Sequence, residues 1–538
     1  MFRMFGKLLG LATIMSVLLV ACAPGAKLQL ELFFPYTPDS AQLFNRVDSY
    51  EVKLSGTSLK NPDGETMPLS PGTGAIPLSS LDCKEGSSSK TDTLEIQVVA
   101  KDSSAKVIAS GKQVLFRPCG KEGAVQILLS AVETFAPLSR LDEDSISQPA
   151  NLNEVRAGHR TTFLPDGRLL ITGGAVMSGP GAFSKVSKKT EIYNPSTGQF
   201  IPGPDMSVAR AFHTATLVGT KVIVTGGVLL EKQADDTVKV VATNSVDVFE
   251  INTEGKLVRS SAPELKEARA FHSATVTQNN NLFLYGGFNT DAATGKYTMN
   301  TVWEVLVSDG QPLSSGKIED KYQRAWHADV RAGDYSLLLI GGMVLTSKGE
   351  FTASKTILKA TLTATDSVVT FSEETPMKNA RAGLTATLIG GDSYILLVGG
   401  MVPDKSNMFL PFRVQKNVEL LNGLGVLQSN FSFDLVQGRV FHSTNQLADG
   451  RIVVFGGLQS STAMADRTEL LTFDPNNPTN MQATRVPQRK DRFYNTGTIL
   501  LNDSLLILGG TTIDTANSKY VTLLRGELFV ARPSTSSP

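Results

Sequence analysis

Arg210-Ala-Phe-His213, Arg269-Ala-Phe-His272, Arg324-Ala-Trp-His327 and Arg439-Val-Phe-His442 are nearly one tetrapeptide written four times. Looser copies open at Arg156, Arg381 and Arg492. A Gly-Gly pair follows each arginine at a nearly constant distance, as from Arg210 to Gly226 and from Arg381 to Gly399. The pairs are Gly173-Gly174, Gly226-Gly227, Gly286-Gly287, Gly341-Gly342, Gly399-Gly400, Gly456-Gly457 and Gly509-Gly510. Their interval is shortest from Gly173 to Gly226 and, equally, from Gly456 to Gly509, and longest from Gly226 to Gly286. A period of that length marks a repeat architecture.

The units share an internal order. After the tetrapeptide comes an apolar stretch, then a turn such as Pro165-Asp166-Gly167 or Asp449-Gly450. A near-continuous apolar strand then runs into Gly-Gly: Leu169–Thr172, Val222–Thr225, Leu282–Tyr285, Ile452–Phe455. Strands apolar on both faces must be sandwiched between other layers. A longer loop leads to a third strand, as in Thr190–Asn194 or Thr468–Thr472, and a weak fourth follows. In an antiparallel hairpin the start of the first strand and the end of the second lie at the same end. The arginines, the glycine pairs and the loops after them therefore share one face. Loops on a rigid scaffold commonly carry function, so that face is the binding-face candidate, with its longest loops at Val228–Val246 and Met401–Val418.

The Arg-x-x-His opening, the Gly-Gly after strand two and the acidic residue of strand three resemble the kelch repeat in a bacterial, galactose-oxidase-like form. The resemblance covers about 380 residues and implies four-stranded blades around a central channel. The chain departs from the family pattern in lacking the fourth-strand tryptophan, its only tryptophans being Trp303 and Trp326. The expected fold is all-β: a seven-bladed kelch-type β-propeller over 155–533, preceded by a small Ig-like β-sandwich over 28–135 and a connector over 136–154, with a tail over 534–538. Five alternating strands support the sandwich: Leu28–Phe34, Tyr50–Leu54, Thr93–Ala100, Lys106–Phe116 and Ala124–Leu129. Thr57–Ser89 reads mostly as loop. Closure of the ring stays open between Ala131–Leu138 and the two strands expected within Tyr520–Ala531.

The segment 1–21 reads as a lipoprotein signal peptide. Arg3 and Lys7 precede an apolar run, Leu8–Val20, too short for a comfortable membrane span. It ends in Leu19-Val20-Ala21-Cys22, which resembles a lipobox. That resemblance implies lipidation of Cys22, a tether over 22–27 and a bacterial cell-envelope location, with Ala23 pointing to the outer membrane. An exported chain with two further cysteines, Cys83 and Cys119, suggests a disulfide. The loop it would close stabilises by roughly 3–4 kcal/mol on the chain-entropy model. The 51 basic and 51 acidic residues cancel, which excludes a nucleic-acid binder recognised by its charge.

All five histidines, His159, His213, His272, His327 and His442, occupy one repeat position, where units five and seven carry Leu384 and Asn495. Metal ligands must converge within about 2.1 Å of one ion, and residues on separate blades diverge, so the reading is structural and no metal or other cofactor is expected. The arginines need buried partners. Glu191, Asp247, Glu304, Glu419 and Glu469 supply them in five units, while Ile357 and Thr522 stand near that position in units four and seven. Arg324 and Arg492 are therefore binding candidates, together with Phe183, Met408, Phe409 and Phe412 as an exposed patch on the long loops. The glycine pairs lack the Lys-Ser/Thr of a P-loop. No nucleophile elbow, zinc-protease motif or Cys-x-x-Cys occurs, and the propeller has no cysteine for a copper and Tyr–Cys cofactor of the galactose-oxidase type. The expectation is a lipid-anchored envelope protein that binds a protein or glycan. The alternatives are a carbohydrate-active isomerase or lyase working in the channel, and a structural envelope component.

Overall fold

The computed structural model describes residues 19–20, 28–35, 37, 42–59, 61–63, 65–69, 92–116, 123–142, 147–179, 182–232, 238–290, 296–404, 411–488, 490–517 and 519–533. Cys22, Cys83, Cys119, Met408, Phe409 and the tail lie outside them. Among the described residues, no helix is long and apolar enough to cross a membrane.

The repeat builds seven four-stranded antiparallel sheets. The first is typical: Arg160–Phe163, Leu169–Thr172, Thr190–Asn194 and Gln199–Pro202, in that order from the axis outward. The innermost strands of consecutive sheets touch all the way round, and Arg160–Phe163 closes the ring against Thr496–Ile499. Strand two explains the stacking. Leu170 enters a core shared with the second sheet, through Val222, Val224 and Phe249. Its neighbours Leu169 and Ile171 enter the core on the other side, with Leu506 and Leu508 of the seventh sheet. Each such fully buried side chain contributes roughly 1.5–3 kcal/mol.

The seventh sheet settles the closure. Its strands are Thr496–Ile499, Leu505–Leu508, Glu527–Phe529 and Phe135–Pro137. The outermost strand thus comes from the N-terminal side, with Phe529 opposite Phe135. This corrects two expectations. Tyr520–Ala531 supplies one blade strand instead of two, because Lys519–Thr522 pairs with Thr511–Asp514 in a separate hairpin. Phe135–Pro137, divided in sequence between sandwich and connector, belongs to the last blade. The expected connector itself holds a hairpin, Ser139–Leu141 with Ser147–Pro149.

Before the ring stand two more sheets. Leu28–Phe33 pairs in parallel with Gly123–Leu128, and the short strand Leu19–Val20 lies along its edge. A five-stranded sheet follows the order Glu65–Leu69, Ser49–Ser55, Thr93–Lys101, Val107–Phe116, Ser130–Ala131. Leu30, Ile127, Val52, Ile96 and Val98 fill the core between the two sheets. Glu65–Leu69 corrects the reading of Thr57–Ser89 as mostly loop: it runs antiparallel to Ser49–Ser55 inside that segment.

These two sheets rest on the turn end of the ring, away from the Gly-Gly pairs. Lys112 meets Asp503 at 2.8 Å in a turn of blade seven, and Gln113 donates to Ser196 at 2.6 Å in a turn of blade one. Arg451 of a blade-six turn grips Glu133 with two 2.8 Å hydrogen bonds.

Candidate functional site

The Arg and Gly-Gly motifs prove to be the joints of the ring. Each arginine is at most 1% exposed. Its guanidinium stays within its own blade. Arg439, for example, donates to the Gly456 carbonyl (3.1 Å), the Arg467 carbonyl (2.9 Å) and Glu469 (2.6 Å). Its backbone carbonyl reaches the preceding blade, accepting from the Gly400 N–H at 2.9 Å. The same inter-blade bond recurs in all seven units, from Gly174 to Arg210 (2.9 Å) round to Gly510 and Arg156 (2.9 Å). Both glycines of every pair have positive φ, for example Gly286 at 62° and Gly287 at 98°. A Cβ on Gly286 would collide with the Arg324 carbonyl oxygen, so glycine is required twice over.

The pairing of the arginines corrects one candidate. Glu191, Asp247, Glu304, Glu419 and Glu469 do accept from Arg156, Arg210, Arg269, Arg381 and Arg439. Arg492 is paired as well, with Glu527, the acid of the true third strand; Thr522 lies in the intervening hairpin. Arg324 has no carboxylate within ion-pair distance among the described residues. Its guanidinium is held by the carbonyls of Tyr322 (3.2 Å), Leu339 (3.4 Å), Gly341 (3.1 Å) and Thr356 (3.2 Å). Both arginines are buried, so neither is reachable by a ligand and both leave the binding set.

The histidines bridge blades. His213 Nε2 meets the Thr172 hydroxyl of blade one (2.7 Å), and His327 meets Ser273 of blade three (2.8 Å). His159, His272 and His442 do the same with Thr496, Thr225 and Thr385 at 2.9–3.1 Å. Burial pushes all five far below the ordinary imidazole range, and the neighbouring arginine of each blade adds to the shift; His327 and His442 fall to about 3. They are neutral imidazoles that donate or accept a structural hydrogen bond. Among the described residues no group of three or more His, Cys, Asp or Glu is placed to hold a metal ion.

The third residue of the tetrapeptide carries a feature that its residue types alone conceal. At this position Phe212, Phe271, Trp326, Phe441 and Tyr494 all have left-handed backbone, with φ of 53°, 54°, 53°, 59° and 54°. Gly158 and Gly383 occupy it in blades one and five, at 62° and 65°. Such φ values are unfavourable for bulky residues, and a chain of backbone hydrogen bonds around the axis offsets the cost. Phe212 donates to Gly158 (2.8 Å), Trp326 to Phe271 (2.9 Å), Gly383 to Trp326 (2.8 Å) and Tyr494 to Phe441 (3.1 Å). The side chains meet on the axis in a closed circuit. Centroids are 4.7 Å apart for Phe212 and Phe271, 4.4 Å for Phe271 and Trp326, 5.4 Å for Trp326 and Phe441, 4.3 Å for Phe441 and Tyr494, and 4.8 Å for Tyr494 and Phe212. A Cβ on Gly158 would run into the Phe212 ring at 2.6 Å, so the circuit has room for five rings.

Above this floor rises a crown. The loops after the glycine pairs fold into hairpins in six blades, for example Val228–Lys232 with Val238–Ala242 and Met401–Pro403 with Phe412–Val414. Neighbouring hairpins touch from blade seven through blade one to blade five. Blade six has instead a short turn, Leu458 bridged to Met464, which meets the blade-seven hairpin where the Tyr520 hydroxyl donates to the Ser461 carbonyl at 3.0 Å. The inner wall and floor form one apolar cluster. Phe183 is half-buried against Phe212 (5.4 Å), and Phe412 against Phe441 (6.4 Å). Tyr297, Phe351 and Tyr520 pack partly buried on the same cluster. Val238, Leu345 and Val521 stand exposed on the hairpins. The candidate patch around Phe183 and Phe412 is therefore the wall of an apolar funnel and not a projecting surface.

Below the floor the channel is a polar well of ≈ 470 Å³. First-strand hydroxyls line it, among them Thr214, Thr216, Ser273 and Thr385. Two residues break the pattern, Arg160 and Asp329, at positions where other blades carry Ser, Thr, Ala or Gly. Arg160 Nε donates to the His213 carbonyl at 2.8 Å, and Asp329 accepts from the Thr275 hydroxyl. Enclosure by protein deep in the channel lowers the Arg160 guanidinium and raises the Asp329 carboxyl, although both keep surface open to the channel, and each charge partly restores the other. Both residues lie just beyond the repeated histidine, where aligning the first strands side by side exposes them as the charged exceptions.

The seven four-stranded sheets around one axis make the fold a β-propeller, and its repeated Arg and Gly-Gly motifs resemble those of kelch proteins. No family model matches the chain. It is similar to Kelch domain-containing protein 2 of Bos taurus, 26% identical over 133 residues, which are 25% of this chain and 30% of that protein. The chain thus spans under a third of that relative's length. Among solved structures, "Structure of YjhT" aligns with a TM-score of 0.44 and 15% identity, covering 62% of this chain and 99% of that one. A fungal alcohol oxidase of the AA5 family, in complex with copper, aligns at 0.48 and 16%, covering 71% and 76%.

Proposed function

We propose that this is a lipid-anchored protein of the bacterial cell envelope whose crown face binds a protein partner. The observation that carries the reading is the funnel. Half-buried aromatics line its wall, and exposed apolar residues stand on its hairpins. Large apolar concavities of this kind favour protein contacts. Val240, Ala242, Val402, Val414 and Ile513 pack on the same apolar cluster as the wall aromatics, an apolar surface that suits a protein contact. The orientation suits an anchor: the N-terminal sheets rest on the turn end, so a tether at Cys22 directs the crown outward from the membrane.

Two experiments test this. Labelled fatty acid should enter the wild-type protein in a bacterial host and not Cys22→Ser; equal labelling ends the anchor. The purified chain should capture a saturable partner from solubilised envelopes, and the Phe183→Ser/Phe412→Ser variant, melting within a few degrees of wild type, should lose it. Undiminished capture by that variant, or capture abolished by glycosidase treatment of the envelopes, would remove a crown-bound protein. The runner-up, catalysis in the channel, rests on Arg160 and Asp329 in the well. Asp329 is the single carboxylate lining it among the described residues, and paired acid–base chemistry on sugars commonly needs two.

A further inference from the structure

The well beneath the aromatic floor is a compartment separate from the crown. The five rings close its upper end, so a solute enters from the turn end, on the side of the ring where the N-terminal sheets sit. Its lining combines the rings of the floor and the buried histidines with the hydroxyls of Thr214, Thr216, Ser273 and Thr385, and adds one cation and one anion. Arg160 belongs to blade one and Asp329 to blade four, so the charges face each other across the axis. They feel each other electrostatically, yet their charged atoms are more than an ion-pair distance apart: no salt bridge joins them. Arg160 is steadied through Nε by the His213 carbonyl, and Asp329 by the Thr275 hydroxyl and its own backbone N–H. The terminal guanidinium nitrogens have no protein hydrogen-bond partner among the described residues, and Arg160 remains solvent-exposed inside the channel.

We propose that the well binds a small zwitterion, an amino acid or a close analogue, with its carboxylate on the free edge of Arg160 and its ammonium on Asp329. A guanidinium edge suits a carboxylate through paired N–H donors. A simple anion would satisfy Arg160 but meet the opposing charge of Asp329. A simple cation would have the reverse problem, and a neutral sugar would leave both charges without partners. The surrounding Ser and Thr hydroxyls complete the solvation of either end. This site stands independently of the crown reading, since the aromatic floor lies between the two.

The test is titration calorimetry of the full chain with a ruler series: glycine, β-alanine, 4-aminobutanoate and 6-aminohexanoate, with acetate and ethylammonium as single-charge controls. One chain length should bind saturably, at least tenfold more tightly than either control. Arg160→Gln and Asp329→Asn should each weaken it at least tenfold, and Arg160→Lys should retain part of the affinity. Melting curves check that each variant is folded, and Asp329→Asn keeps the shape and the Thr275 contact. No saturable binding anywhere in the series overturns the proposal. So does binding of acetate equal to that of the best zwitterion, or binding that survives both neutralising substitutions.

Discussion

The seven buried arginines offer an internal comparison that nature has already set up. In blade six, Arg439 and Glu469 form a fully buried pair at 2.6 Å. In blade four, Arg324 is equally buried but held by carbonyls alone. Replacing Arg439 by Met removes the guanidinium and strands Glu469 in the interior, retaining only the backbone N–H donors of Val436 (2.9 Å) and Gln437 (3.3 Å). Breaking a buried pair from one side costs about 3–5 kcal/mol. Arg324→Met strands carbonyls but no directly paired charge, since Glu373 acts on Arg324 only from beyond ion-pair distance. Its cost should be about 1–3 kcal/mol, the scale of hydrogen bonds to a charged group. The double variant Arg439→Met/Glu469→Leu should recover at least half of the Arg439→Met loss, because hydrophobic replacement of a whole buried pair is often close to neutral. Urea denaturation followed by circular dichroism measures all three, with equal slopes required for comparison. If Arg324→Met costs as much as Arg439→Met, or if the double variant recovers nothing, the cost does not come from the stranded carboxylate and the reasoning is wrong.

Three further outcomes follow from the same joints. The five histidines are neutral in the fold and titrate near 6.5 when unfolded, so the unfolded chain takes up more protons below that value and stability falls with falling pH. Each contributes a loss of up to about 1.4 kcal/mol per pH unit between about 6.5 and its folded value, which is about 3 for His327 and His442. Melting temperatures between pH 7.5 and 5 should drop steeply, and His327→Leu, the residue blade five uses, should flatten the slope by one proton; an unchanged slope would remove His327 from the account. Gly286→Ala should cost about 2–4 kcal/mol from left-handed backbone and a lost inter-blade bond, whereas Gly255→Ala, with φ of 78° and nothing within 4 Å, should cost only the conformational part, about 1–2 kcal/mol; equal thermal shifts would deny the collision with the Arg324 carbonyl. Truncation to residue 139 should destabilise the ring more than truncation to residue 132, because only the former deletes Phe135–Pro137, with its tilted ring contacts to Phe455 and Phe529 at 5.0 and 5.1 Å, and the Glu133 that Arg451 grips. Similar melting of the two would mean that strand adds nothing to closure.

The repeat was legible in the chain because its requirements are local. A strand buried on both faces must be apolar throughout, as Leu169–Thr172 is, and two successive positive φ angles call for Gly-Gly. Five of the six acidic partners were legible because each stands in the strand-like run that follows its Gly-Gly pair. Glu527 was not, although it lies 35 residues after Arg492 as Glu191 does after Arg156, because the strand-like Lys519–Thr522 just before it drew the third-strand reading to Thr522. Closure by Phe135–Pro137 was legible only as one of two alternatives, within Ala131–Leu138, because that strand and its partner Glu527–Phe529 are joined only by the ring itself. The aromatic floor and the Arg160–Asp329 pair belong to the same class. Each residue looks like an ordinary variation within its own unit, and acquires its role only when seven first strands converge on one axis. Periodicity in the chain thus reveals what every blade needs, whereas the contents of the channel and the crown depend on distances between blades that only the folded ring sets.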